Sequence, residues 1–179
     1  MRALLFTLLV SPFTWADQKA PQLEALFEAL TTAEEATERR VIEAEIWQHW
    51  MAFPGDDTGG FLFDSGVQAM ARGDLKVALD LMSEVIEDNP DFAEGWNKRA
   101  TIYYMQGNYA ESVSDIIQTL VLEPRHFGAL SGLAQIYQRQ EQYALALKVL
   151  DQLEVISPYS TGLDRWRALL KQRLQDQAT

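Results

Sequence analysis

Apolar residues recur at helical spacing along most of the chain, and turn-forming residues interrupt them at regular distances. Between residues 93 and 126, Trp96, Ala100 and Tyr103 fall at i, i+4 and i+7, which is one face of a helix. Gly107-Asn108 ends that face, and either residue can adopt the left-handed conformation of a helix C-terminus. Tyr109, Val113, Ile116 and Leu120 form the next face, and Pro124 stops it because proline cannot continue the backbone ladder. The following stretch repeats the scheme, with Leu130, Leu133, Ala134 and Tyr137, then Tyr143, Ala146, Leu147, Leu150 and Leu153. No stretch alternates with the two-residue period of a strand, so the pattern predicts an all-α chain.

The scheme has a fixed period. Pro90, Pro124 and Pro158 are each 34 residues apart, as are Gly73, Gly107 and Glu141, Leu75, Tyr109 and Tyr143, and Leu62, Trp96 and Leu130. Independent columns at one period mark a helical-repeat array. The repeats run 59–92, 93–126 and 127–160, each a pair of helices. Ala78, Ser112 and Ala146 form a column of small residues that lets the paired helices approach closely. The first repeat carries Ser65, Gly66 and Ala69 where larger groups stand elsewhere, so its first helix is thin and packs tightly on what precedes it.

The flanks are helical too. Residues 17–53 read as a hairpin: Leu23, Leu26, Phe27 and Leu30 make one stripe, and Ile42, Ile46, Trp47 and Trp50 another. Thr32 and Glu35 have capping-box spacing between them. Two roles are open for this hairpin: a cap over the first repeat, or a dimerisation element built on Trp47 and Trp50. Residues 54–58 lie in a Pro/Gly/Asp-rich linker. At the other end, residues 161–179 carry Leu163, Trp166, Leu169, Leu170 and Leu174 among Arg165, Arg167, Lys171 and Arg173, the make-up of a capping helix with a polar outer face.

Charge narrows the partners. There are 15 Lys and Arg against 26 Asp and Glu, a net charge of −11. That balance disfavours nucleic acid, whose phosphates need a basic surface, and an anionic membrane surface. Cysteine is absent, which removes disulfides, thiolate nucleophiles and cysteine zinc sites. The N-terminus predicts a destination. Met1-Arg2, the apolar run from Ala3 to Val10, and Thr14-Trp15-Ala16 read as a signal peptide, residues 1–16, with cleavage after Ala16. The run is too short to span a bilayer, and no Cys follows it to carry a lipid anchor. Export, most simply to a periplasm, is the expectation, with no stable membrane insertion.

No catalytic constellation is present. The two histidines, His49 and His126, have no metal-ligand spacing and read as surface or interface residues. There is no nucleophile elbow and no phosphate loop. Asp56-Asp57 lacks the spacing of a calcium loop. The expectation is a non-enzyme with no cofactor and no metal.

Trp96, Ala100, Tyr103, Gly107, Tyr109 and Pro124 resemble the signature of the tetratricopeptide repeat (TPR) family, and the resemblance covers residues 59–160. The segments Gly95–Thr101 and Arg125–Leu130 further resemble small exported bacterial TPR proteins. The resemblance implies a helical-hairpin solenoid, an α-α superhelix, whose first helices line a concave face. Positions facing inward would be Phe63, Asp64, Val67 and Met70 in the first repeat. They would be Asn97, Lys98, Thr101, Tyr104 and Met105 in the second, and Ser131, Gln135, Gln138 and Arg139 in the third. The candidate partner-binding groove is drawn from these: Phe63, Val67, Met70, Asn97, Lys98, Thr101, Tyr104, Ser131, Gln135 and Arg139. The carboxylate clamp of chaperone-binding members is absent, since Phe63, Val67, Gly128 and Gly132 hold most of its positions.

Arg99 stands where the family pattern expects leucine. Either its stem packs and its guanidinium reaches solvent, or it forms a buried ion pair with Asp64 or Asp115. Lys98, Arg99, Arg125 and Arg139, with His126 beside them, gather in two neighbouring repeats of an acidic chain. The expected function is a scaffold or adaptor holding another protein's peptide or helix in the groove, an acidic segment being the candidate form. The alternative is a structural assembly protein that oligomerises through its terminal helices.

Overall fold

A computed structural model of the chain describes residues 21–157 and 162–178. The signal-peptide expectation, and Pro158 with the end of the third repeat, lie outside the described residues. Nine helices and no strand make up the described residues: α1 (Pro21–Thr32), α2 (Ala36–Met51), α3 (Asp57–Arg72), α4 (Leu75–Asp88), α5 (Ala93–Gln106), α6 (Tyr109–Leu122), α7 (Phe127–Arg139), α8 (Tyr143–Ile156) and α9 (Leu163–Gln177). The fold is an all-α helical-repeat solenoid.

The columns of the repeat have identifiable physical causes. Gly73 and Gly107 end α3 and α5 at φ of 82° and 81°, and Glu141, in the same column, adopts φ 59°. Every first helix thus closes on a left-handed residue, and the third repeat does so without glycine. Ala78, Ser112 and Ala146 are buried where second helices cross first helices. Ser112 Oγ donates to the Ala100 carbonyl at 2.7 Å, so the polar member of the column is satisfied. Gly66 explains the thin helix of the first repeat differently from expectation. A Cβ there would meet Met82 Cε at 2.5 Å, so the tight packing is against α4 within the repeat. Trp96 is only partly buried, and its Nε1 donates to the Pro90 carbonyl at 2.8 Å.

Helix pairs α3/α4, α5/α6 and α7/α8 make the densest contacts, with α4 against α5 and α6 against α7 joining successive repeats. First helices also touch one another, α3 to α5 and α5 to α7, whereas the second helices do not approach their counterparts comparably. The array therefore curves with α3, α5 and α7 on its inner side.

The ends depart from expectation in detail. Thr32 stays in the last turn of α1 and its hydroxyl returns to the Glu28 and Ala29 carbonyls, so no capping box forms with Glu35. The linker is shorter at its far end because Asp56 Oδ1 accepts from the Gly59 amide at 2.9 Å and starts α3 at Asp57. The hairpin does not lie over the first repeat. It packs on α5, on the start of α7 and on the end of α8, and only Met51, the last residue of α2, and Phe53 just after it reach the core of the first repeat. At the C-terminus, α9 packs on α8 through Leu163, Trp166 and Leu170. Leu169 and Leu174 fall off that face and stay exposed.

Candidate functional site

The inner side of α5 and α7 encloses a pocket of about 200 Å³. Asn97, Thr101 and Tyr104 from α5 face Gly128, Gly132 and Gln135 from α7, over a floor that includes Ala100, Ser112 and Ile116. Gly132 keeps the pocket open, since a Cβ there would meet nothing closer than Ile116 Cδ1 at 3.6 Å, whereas the Cβ position of Gly128 is taken by Trp47 of α2. The Thr101 hydroxyl is turned back to the Asn97 carbonyl at 2.9 Å. Arg139 lies over the Tyr104 ring, 5.2 Å from its centroid, and donates through Nε to the phenol oxygen. Four groove candidates, Asn97, Thr101, Tyr104 and Gln135, thus surround one cavity, and Arg139 stands at its edge. Ser131 lines a second, wider recess with Phe127, Leu163 and Trp166.

Three candidates are placed otherwise. Phe63 is 1% exposed, because Phe92 packs edge-on against it at 5.0 Å and Phe53, just past the end of α2, covers it. It is a core residue and not a groove residue. Val67 and Met70 are half-buried against the same cluster. The apolar end of the groove is therefore consumed by the fold.

Lys98 belongs to a buried network that sequence did not reveal. Glu94 is fully buried in the first turn of α5. Its Oε2 lies 2.9 Å from His126 Nε2 and accepts from Asn97 Nδ2 at 3.0 Å, and its Oε1 pairs with the Lys98 ammonium at 2.7 Å. His126 Nδ1 accepts the Ala129 amide at 3.1 Å, capping α7. An amide can only donate, so that nitrogen is unprotonated and Nε2 carries the hydrogen given to Glu94. Burial pushes the Glu94 carboxyl up. The hydrogen bond from His126 and the Lys98 charge outweigh it and hold the group below its ordinary value. His126, expected at the surface or at an interface, sits at an internal one. It is wholly buried between this network and Trp50.

Two further cations of the cluster, Arg99 and Arg125, are neutralised. Arg99 binds Asp115 through Nε at 2.7 Å and NH2 at 2.9 Å, which decides between its two expected placements in favour of the ion pair. Arg125 pairs with Glu123 at 3.1 Å and Glu24 at 2.9 Å. Arg139 has no carboxylate partner among the described residues. No group of three or more His, Asp or Glu among them could hold a metal ion, and no helix among them is long and apolar enough to cross a membrane.

The hairpin borders this site. Trp50 stacks on His126 with centroids 4.1 Å apart and planes 11° from parallel. Trp47 lies against Gly128, with Phe127 edge-on at 5.4 Å and Lys98 Nζ 5.6 Å from its centroid.

Paired helices in a curved array, with an open pocket on the inner side, define a helical-repeat protein of the binding kind. The family model for the tetratricopeptide repeat matches residues 63–121 and 106–161, and the chain belongs to that family. A TPR repeat-containing protein of Rhizobium etli is 34% identical over 158 residues, covering 88% of this chain and 77% of that one. Among solved structures, the first TPR of Spaghetti (RPAP3) bound to the HSP90 peptide SRMEEVD superposes with a TM-score of 0.61 at 17% identity. It covers 65% of this chain and 95% of its own. The TPR2B domain of yeast Sti1, in its pHsp70 complex, gives 0.60 at 19% identity over 66% and 99%. TPR proteins are interaction scaffolds, and this chain is a scaffold and not an enzyme.

Proposed function

We propose that the protein is an exported, periplasmic scaffold that captures a peptide or helix of another protein on its concave face. The observation that carries this is the pocket between α5 and α7 that Gly132 leaves open, with amide and hydroxyl groups at its rim and an apolar floor. Its volume suits one side chain of a bound segment. Arg139, exposed and without a carboxylate partner among the described residues, favours an acid on that segment. The related folds support the reading: the RPAP3 structure holds an HSP90 peptide containing two glutamates and an aspartate.

Gly132→Leu tests it cleanly. A Cβ at this position meets nothing closer than Ile116 Cδ1 at 3.6 Å, so leucine enters the pocket without forcing the backbone. Replacing a helical glycine also favours the helix by up to about 1 kcal/mol. The variant keeps or raises the melting temperature and loses capture of the partner in crosslinked envelope extracts. Undiminished capture sinks the proposal. Export is read by mass spectrometry of the envelope fraction, where the mature chain begins at Asp17. An intact Met1 on a cytoplasmic chain contradicts it.

A further inference from the structure

The seam between the α1–α2 hairpin and the concave side is aromatic, and it is incompletely satisfied. Trp50 is buried flat on His126, yet its Nε1 has no hydrogen-bond partner. Such groups lose their water without return, and a permanent core ordinarily avoids them. The polar contacts across the seam are thin. Glu24 reaches Arg125 from a largely exposed position, which contributes little, and Ser157 Oγ donates to Glu43 Oε1 at 3.1 Å.

The hairpin is otherwise a body of its own. Leu23, Phe27, Leu30, Ile42 and Ile46 form its core, and the short segment from Ala52 to Asp56 joins it to α3. It meets the repeats through both helices: Trp47 and Trp50 of α2 lie against His126 and Phe127, and Phe27 of α1 lies under the Arg125 guanidinium, 4.1 Å from the ring centroid. The repeats answer with a seat shaped for an aromatic ring. A Cβ at Gly128 would stand 2.6 Å from Trp47 Cη2, so only glycine admits the indole.

We infer that α1–α2 is an internal ligand of the concave face, and that the partner is an amphipathic helix which displaces it and takes the place of α2. This rests on the capture function proposed above and names its partner and its regulation. The displacing helix carries two aromatic residues three positions apart, one for the Gly128 seat and one for the face of His126. Its flank is acidic where it passes Arg125, because the hairpin itself turns Glu24 toward that guanidinium. In the resting chain the hairpin covers the seat while the Gly132 pocket stays open beside it. A partner therefore engages the pocket first and completes its contact when the hairpin leaves.

The chain has no cysteine, so Glu24→Cys with Arg125→Cys, at positions whose side chains meet at 2.9 Å and are open to solvent, gives a unique thiol pair across the seam, which a short bismaleimide joins. Two readouts on the full chain follow. By hydrogen exchange, the α1–α2 amides of the unlinked protein exchange together, about tenfold or more faster than those of α5–α8, and linking removes the difference. By fluorescence anisotropy, a labelled synthetic peptide of residues 21–51 binds the unlinked chain and binds the linked chain at least about tenfold more weakly. Exchange of α1–α2 in step with α5–α8 in the unlinked protein overturns the inference. So does peptide binding that is equal in the two forms or absent from both. Neither readout uses the partner. Retained capture by Gly132→Leu alongside a freely opening hairpin therefore strikes the pocket reading alone, and a fixed hairpin alongside lost capture strikes only this inference.

Discussion

Glu94→Ala is the sharpest perturbation of the site's framework. The carboxylate has no solvent exposure and three partners: His126 Nε2 at 2.9 Å, Asn97 Nδ2 at 3.0 Å and Lys98 Nζ at 2.7 Å. Truncation leaves two buried donors without an acceptor and a mostly buried ammonium without a counter-charge. Breaking a buried pair by removing one member costs about 3–5 kcal/mol. For a chain of this length that lowers the melting temperature by roughly 6–20 °C. The lower end is favoured because Lys98 is 16% exposed and can turn to water. Glu94→Gln keeps the shape and one acceptor, and costs about 2 kcal/mol.

The pH dependence follows with a definite sign. The folded-state pKa of Glu94 lies below its ordinary value of 4.5. Its contribution is therefore complete above about pH 4.5 and is lost as pH falls through the folded value. The stability gap between wild type and Glu94→Gln, measured by urea unfolding with circular dichroism, closes as pH drops from 7 toward 3. A Glu94→Ala protein as stable as wild type at pH 7, or a gap that widens in acid, refutes the network as described.

Glu141→Gly relieves the one non-glycine left-handed residue among the described positions, a conformation costing about 1–2 kcal/mol outside glycine, and raises the melting temperature by a few degrees. Arg99→Leu restores the residue the family pattern prefers but strands the buried Asp115 carboxylate. The single change costs about 3 kcal/mol by denaturant titration, and adding Asp115→Ala recovers most of it. A double variant no more stable than the single one contradicts the pairing.

Legibility in the sequence followed the range of the interactions. Period, helix ends and the small-residue column depend on neighbours within one repeat, so Gly107, Pro124 and Ser112 announced their roles. The candidates Asn97, Thr101, Tyr104 and Gln135 do meet around one pocket, because a regular array carries inner positions to the inner side. Glu94 was hidden because a Glu four residues before a Lys on a helix looks like a solvated pair. Its burial is decided by His126, 32 residues away, and by the Trp50 ring laid over that histidine. Phe63 failed as a groove residue for the same kind of reason: Phe53, just past the end of α2, covers it. The hairpin's position over the second and third repeats had no local signal. Its nearest trace was the meeting of Trp47 in α2 with Gly128 in α7, which only the folded chain brings together.

Photo-crosslinking in living cells reads out whether the inner side of α5 and α7 is where a partner is held. A benzoylphenylalanine is placed either at Gln135, exposed at the pocket rim, or at Ile117, exposed on α6 in the outer layer. Position 135 is expected to give a discrete adduct with one envelope protein and position 117 none. An adduct formed from position 117 with position 135 silent would contradict that placement.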